Sequence, residues 1–228
     1  MAFIFSRLVR NLMLLYLLFV AVQYALRAKS YSFSPKEFRA MAEKAKGEGV
    51  GAVNRLATDL RRVFGPNIAS EMSWIPLQAG GLQLKTLVLH GSLTEFILAF
   101  NAPFATTGRS GIHFANATCS VLSGSVQRSS DFSHSDSIET FSAGANFRHG
   151  QFDSALYSLK EKTYVVCYGR GLVPVSAFWA LPGPLLSGDP YSAGRLLYLY
   201  GRASFESIAY LTQTSFDHLK KTYLKSEL

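Results

Sequence analysis

Between residues 72 and 188 the chain is a series of short runs of Val, Leu, Phe, Tyr and Thr, broken by Gly, Ser and Asn. "LKTLVLHGSLTEFILAF", "HFANATCSVLSGSV", "SIETFSAGANFRHG" and "KTYVVCYGRGLVPVSAFWAL" read as strands and tight turns. Successive side chains of a strand point to opposite faces, so each run has one face to bury. Many short strands in sequence solve that as a small barrel or a double-sheet roll. "SVQRSSDFSHSDSIE" reads as a polar, serine-rich loop between strands. No internal repeat is visible.

Helical patterns flank this region, which makes the fold class α+β. In residues 32–71, "SFSPKEFRAMAEKAKGEG" offers Ser34 as a cap, Pro35 in the first turn and Glu37 to complete a capping box. A second helix, "AVNRLATDLRRVFGP", places Val53, Leu56, Leu60 and Val63 on one face and stops at Gly65 and Pro66. From Asp189 to the end, residues 189–228 return to helix, with Leu196, Leu197, Tyr200, Phe205, Ile208, Leu211, Phe216 and Leu219 forming broad apolar faces. Such helices either lie on a bilayer or pack on the strands.

Residues 1–31 form a separate segment. Leu12 to Leu26 is apolar apart from Tyr16, Gln23 and Tyr24, and with Leu8 and Val9 it nears the ~20 residues that cross a bilayer. No small-x-small cleavage site follows it, which favours an uncleaved anchor over a signal peptide. Arg7, Arg10, Arg27 and Lys29 flank both sides, so basic residues do not fix its direction. The net charge of +8 suits anionic partners. The Lys and Arg residues are scattered, which with the apolar N-terminus points to membrane lipids and not to nucleic acid. The chain ends "KSEL", which resembles an endoplasmic reticulum retention signal and would place the C-terminus in an oxidising lumen.

Little in the sequence declares a reaction. The five histidines, His90, His113, His134, His149 and His218, show no ligand spacing, and two cysteines are too few for structural zinc, so no metal site is expected. No phosphate loop or dinucleotide fingerprint occurs. Asn116 opens a glycosylation sequon, but mid-strand. A Cys167 nucleophile with His149 as base is formally open, although cysteines in apolar strands are more often inert. Parity is more informative: Ala115, Ala117, Cys119 and Val121 share one strand face, and Val165 and Cys167 share another. Small apolar side chains on both faces could line a cavity for an apolar ligand.

The runs "QAGG" (78–81), "LHGSLTEFILAF" (89–100), "RSG" (109–111), "LSGS" (122–125), "FRHG" (147–150) and "YGRGLVP" (168–174) carry a resemblance. In this order and spacing, the chain resembles the fungal sterol C-8 isomerases and the sigma-1 receptors. The resemblance implies a single transmembrane anchor in the endoplasmic reticulum and a cupin-like β-barrel around the ligand. It also implies two C-terminal membrane-associated helices, a homotrimer and no cofactor. The isomerases of the family shift a ring double bond from C8 to C7 by protonation and deprotonation, and the receptors bind hydrophobic amines and steroids. The family chemistry rests on an acid pair, and residue-by-residue matching puts those positions at Cys119 and Cys167. Glu95 and His149 match family residues. The ligand pocket is expected to include Leu82, Phe96, Phe100, Ala117, Cys119, His149, Leu159 and Cys167, with Leu82, Phe96 and Leu159 where the family often has other aromatics.

A carboxylate in an apolar barrel can hold a cation, and two carboxyls sharing a site can split into acid and base. A buried thiol does neither, since its reference pKa of about 8.5 rises on burial. The resemblance therefore implies impaired isomerisation and weak amine binding. It also places the two cysteines as partners, which leaves a Cys119–Cys167 disulfide and a pair of packed thiols both open. Two functions compete: a barrel that holds a sterol or other hydrophobic molecule without chemistry, and an isomerase using other groups, for which Glu95, Asp153 and His149 are the nameable candidates. A thiol–disulfide redox protein is a third, disfavoured by the lack of a CxxC pair.

Overall fold

The computed structural model describes residues 2–131 and 138–226. It divides into two compact units, Met1–Ser32 and Phe33–Leu228. The first is helix α1, Ala2–Ala28, in which Arg7–Ala28 is long and apolar enough to cross a membrane.

The second unit begins with α2 (Pro35–Ala45) and α3 (Gly49–Phe64). Ser34 occupies the cap position of α2 with extended backbone, yet its hydroxyl makes no cap bond; its carbonyl accepts the Phe38 amide at 3.0 Å. The expected capping box is therefore not formed. Phe38, Ala42, Val53, Leu56 and Leu60 are buried on the inner faces of the two helices.

Among the described residues ten strands follow: β1 (Ile75–Ala79), β2 (Leu82–Gly91), β3 (Glu95–Ala102), β4 (Thr106–Arg109), β5 (Ala115–Ser123), β6 (Ser125–Ser130), β7 (Glu139–Ser142), β8 (Asn146–His149), β9 (Ala155–Leu159) and β10 (Thr163–Gly171). They form two antiparallel sheets, ordered β1-β2-β3-β10-β5-β8 and β4-β9-β6-β7. Of the expected small barrel or double-sheet roll, the strands take the form of two sheets facing each other. Their inner faces meet through Leu84, Val121, Val126, Phe147, Tyr157 and Val165. β6 corrects the loop reading: "SVQRSS" is a strand with Val126 buried, and its polarity reflects membership of the smaller, more exposed sheet. The rest of that serine-rich stretch, residues 132–137 with His134, lies outside the described residues.

After Gly171 the chain stops being strand. Val173–Ser176 is a 3-10 turn, followed by α4 (Ala177–Ala180) and α5 (Pro182–Leu186), where the sequence pattern had suggested continued strand. Pro174 cannot donate to a ladder and suits a helical first turn. One helix, α6 (Pro190–Ser226), then replaces the two expected C-terminal helices. No proline interrupts it after Pro190, and Gly194 and Gly201 are absorbed without a break. Its buried residues Leu196, Leu199 and Ala203 pack against Ile75, Leu77 and Val88 of β1 and β2. Leu197, Phe205, Ile208, Leu211 and Phe216 stay exposed. The last two residues of "KSEL", Glu227 and Leu228, lie outside the described residues.

Candidate functional site

The alternation of the strands sorts each into two faces. On β3, Phe96, Leu98 and Phe100 point between the sheets, while Ile97 and Ala99 join the cluster under α2 and α3. On β10, Val165 and Cys167 point inward and Tyr164, Val166 and Tyr168 outward to the helices. Between the sheets lies a cavity of about 200 Å³. All eight residues expected around a ligand line it: Leu82, Phe96, Phe100, Ala117, Cys119, His149, Leu159 and Cys167.

Cys119 and Cys167 face each other directly in the β5–β10 ladder and form a disulfide, with Cα atoms 4.0 Å apart. The bond is part of the cavity wall. One strand over, Gly169 pairs with Phe96, and a Cβ at Gly169 would sit 2.2 Å from the Phe96 ring. The first glycine of "GRG" thus lets an aromatic ring lie across β10 and close one side of the cavity.

Two other expected candidates stand apart. Glu95 is on the opposite face of β3, where its Oε1 accepts from the Tyr168 hydroxyl at 2.8 Å and the Phe33 amide at 3.3 Å. It ties the start of the second unit to the sheet and does not line the cavity, which corrects its candidacy as a catalytic group. Asp153 is exposed in the turn after β8, accepting the Gly150 amide at 2.7 Å.

The polar part of the wall was only partly foreseen. His149 is 7% exposed; its Nδ1 lies 3.2 Å from the Tyr157 hydroxyl. Burial, reinforced by the nearby His113 ring, pulls its pKa down to about 4, with Asp153 opposing and Arg128 adding to the fall. His113 packs at 5.7 Å from His149, ring to ring. Its Nε2–H donates to the Ser110 carbonyl at 2.7 Å, which leaves Nδ1 to accept from Ser176 Oγ at 3.1 Å. Burial lowers its pKa, against that Ser110 bond. Both rings are neutral near pH 7. Tyr157, whose phenol is pushed up by burial, is the strand neighbour of Arg128 across β6 and β9. Parity could have found Tyr157, since it is two residues before Leu159. Ser110 and His113 come from the loop between β4 and β5, and Ser176 and Trp179 from helical turns of four residues, too short for a period to show.

The family profile described as "ERG2 and Sigma1 receptor like protein" matches residues 9–210. The chain belongs to the ERG2 and sigma-1 receptor-like family. The sigma non-opioid intracellular receptor 1 of Xenopus tropicalis is 29% identical over 207 residues, covering 86% of this chain and 92% of the relative. The C-8 sterol isomerase ERG2 of Gibberella zeae is 25% identical over 161 residues, 69% of this chain and 68% of the relative. Among solved structures, an RmlC-like cupin from Shewanella frigidimarina matches at TM-score 0.36 and 14% identity, covering 46% of this chain and 95% of that one. A predicted oxalate decarboxylase from Thermotoga maritima matches at TM-score 0.37 and 10% identity, over 46% and 94%.

Within this family member the Cys119–Cys167 disulfide and mostly apolar side chains form the cavity wall, with His113, His149 and Tyr157 in its polar part. Among the described residues, no Asp or Glu lines it. Its volume of about 200 Å³ is below the ~300–1,000 Å³ of ordinary ligand pockets and slightly above the ~150 Å³ engineered apolar cavity that takes benzene. One or two rings fit as it stands. A body the size of a whole sterol exceeds this volume.

Proposed function

We propose that this protein is a single-pass endoplasmic reticulum membrane protein that holds a sterol or another neutral hydrophobic molecule between its sheets, without the isomerisation of its sterol-isomerase relatives. One observation carries the reading: an apolar cavity has a disulfide, Cys119–Cys167, at the two positions where the resemblance puts the acid pair. A disulfide has no proton to give an alkene and no charge to oppose a cation. The isomerase alternative finds little support in the remaining groups. Glu95 is turned away, Asp153 is exposed, and a histidine with a pKa of about 4 is almost entirely unprotonated at pH 7. α1 supplies the anchor, and the exposed apolar residues of α6 suit contact with membrane lipids. A homotrimer is part of the same proposal.

The test is turnover of a Δ8 sterol by the purified protein in nanodiscs, beside a Cys119→Asp/Cys167→Glu double variant. The native protein should show no shifted double bond and no solvent deuterium in the sterol. The double variant should bind a hydrophobic amine at least about tenfold more tightly, the scale of one charge-assisted contact. Turnover by the native protein would overturn the non-catalytic reading.

A further inference from the structure

His149 has one ring nitrogen committed and one open. Nδ1 is within reach of Tyr157, whereas Nε2 is buried with no hydrogen-bond partner among the described residues. The ring lines the cavity, and the other polar groups around it are engaged: both nitrogens of His113, the Ser110 hydroxyl and the Ser176 hydroxyl. Thr86 Oγ1 is the other unpartnered polar atom of the wall among the described residues, but it belongs to β2, with β3, β10 and β5 standing between it and β8. Strands are spaced ~4.8 Å apart, so the two atoms sit at opposite sides of the sheet and do not serve one ligand atom.

A buried polar atom left without a partner costs roughly 1–3 kcal/mol, so a native site that keeps one has a use for it. Water fills that role poorly here. A held water wants two to four polar partners, and most of the cavity wall is hydrocarbon. A ligand group carried in by an apolar body needs only one. Either neutral tautomer of His149 leaves Nε2 a single bond short, as a donor or as an acceptor, and a hydroxyl can answer both. An ammonium finds no carboxylate in the wall among the described residues.

We propose that His149 Nε2 receives the hydroxyl of a neutral ring alcohol whose apolar body fills the cavity, with Tyr157 as the positioning residue that fixes the imidazole. This rests on the cavity being a ligand site. It adds the class of ligand, one hydroxyl on an otherwise apolar ring system, and the end of the cavity at which that hydroxyl lies.

The probes match the space available: tetralin, 2-tetralol and 2-aminotetralin, titrated against the full-length protein in nanodiscs and corrected for partition into empty nanodiscs. The expected result is 2-tetralol bound about fivefold more tightly than tetralin, the size of one neutral hydrogen bond, with the ammonium weakest. His149→Leu should bring the alcohol down to tetralin, and Tyr157→Phe should reduce the preference without abolishing it. A second readout needs no variant: the ¹⁵N resonance of His149 Nε2 should move with 2-tetralol and stay put with tetralin. Equal binding of alcohol and hydrocarbon, with a still Nε2 resonance, would overturn the proposal and leave the apolar ligand site standing. Tightest binding by the amine would overturn the proposal and the neutral-ligand reading together. Binding of no probe would remove the ligand site itself.

Discussion

Ile97 and Leu98 are neighbours on one strand, and they meet different surroundings. Ile97 is fully buried in a cluster closed by α2 and α3; Leu98 borders a cavity. The same division runs across the large sheet. On the helix side even a carboxylate is provided for, since Glu95 accepts from Tyr168 and Phe33. On the inner side an imidazole nitrogen is left open. The helix-side face is closely packed and holds the fold; the inner face leaves a cavity, and that space with its few polar groups is what a ligand can use.

One of the two largest expected effects concerns the disulfide, the one covalent tie on the cavity face. Its cysteines are 48 residues apart in sequence, for which loop-closure entropy gives about 4 kcal/mol, with strain and denatured-state structure able to reduce it. A Cys119→Ala/Cys167→Ala variant should lose about 2–4 kcal/mol in urea unfolding. A loss under about 1 kcal/mol would mean that the inner face is held by packing alone, and the contrast between faces would weaken.

The other is the contrast within β3. Ile97→Ala removes a fully buried side chain from a closed cluster and should cost about 2–5 kcal/mol. Leu98→Ala extends a space that already exists, so it should cost clearly less, under about 2 kcal/mol, while raising the capacity for a larger probe. Equal losses from the two would show that the cavity face contributes as much packing as the other.

The helix-side face was the easier to foresee. The spacing of Val53, Leu56 and Leu60 marks α3, and strand parity groups Ala115, Ala117 and Cys119 as the structure does. Parity also tells which residues share a face without telling which strands pair, so the Cys119–Cys167 contact was accessible only through the family resemblance. The four-stranded sheet was largely illegible. β4 and β7 have four residues each, too few for a period to emerge, and β6 is mostly Ser, Gln and Arg because it covers the core with one valine. α6 ran against expectation for the opposite reason: its amphipathic pattern is continuous and the break was supplied by the resemblance, not by a breaker residue. Tyr157 and His113 were missed as a pair with His149 because the fold brings them together across β8, β9 and the loop before β5, contacts that no local pattern encodes.

The smallest effect sharpens the comparison at its polar end. His149 has a folded pKa of about 4, below the ordinary 6.5, and His113 is lowered in the same direction, both chiefly by burial. A lowered histidine favours the neutral ring in the folded state, so the unfolded chain takes up more protons between the two values. Stability should be complete above pH 6.5 and fall as the pH drops toward 4; for His149 alone the loss is about 2 kcal/mol by pH 5. The charged groups facing the ring are His113, Asp153 and Arg128: Arg128 and a protonated His113 deepen the loss, and Asp153 tempers it. Urea midpoints at pH 7.5 and pH 5 should therefore separate clearly in the native protein and draw together in His149→Leu. A separation that survives that substitution would place the acid sensitivity outside the cavity, and the open nitrogen would lose its standing as the feature that sets the inner face apart.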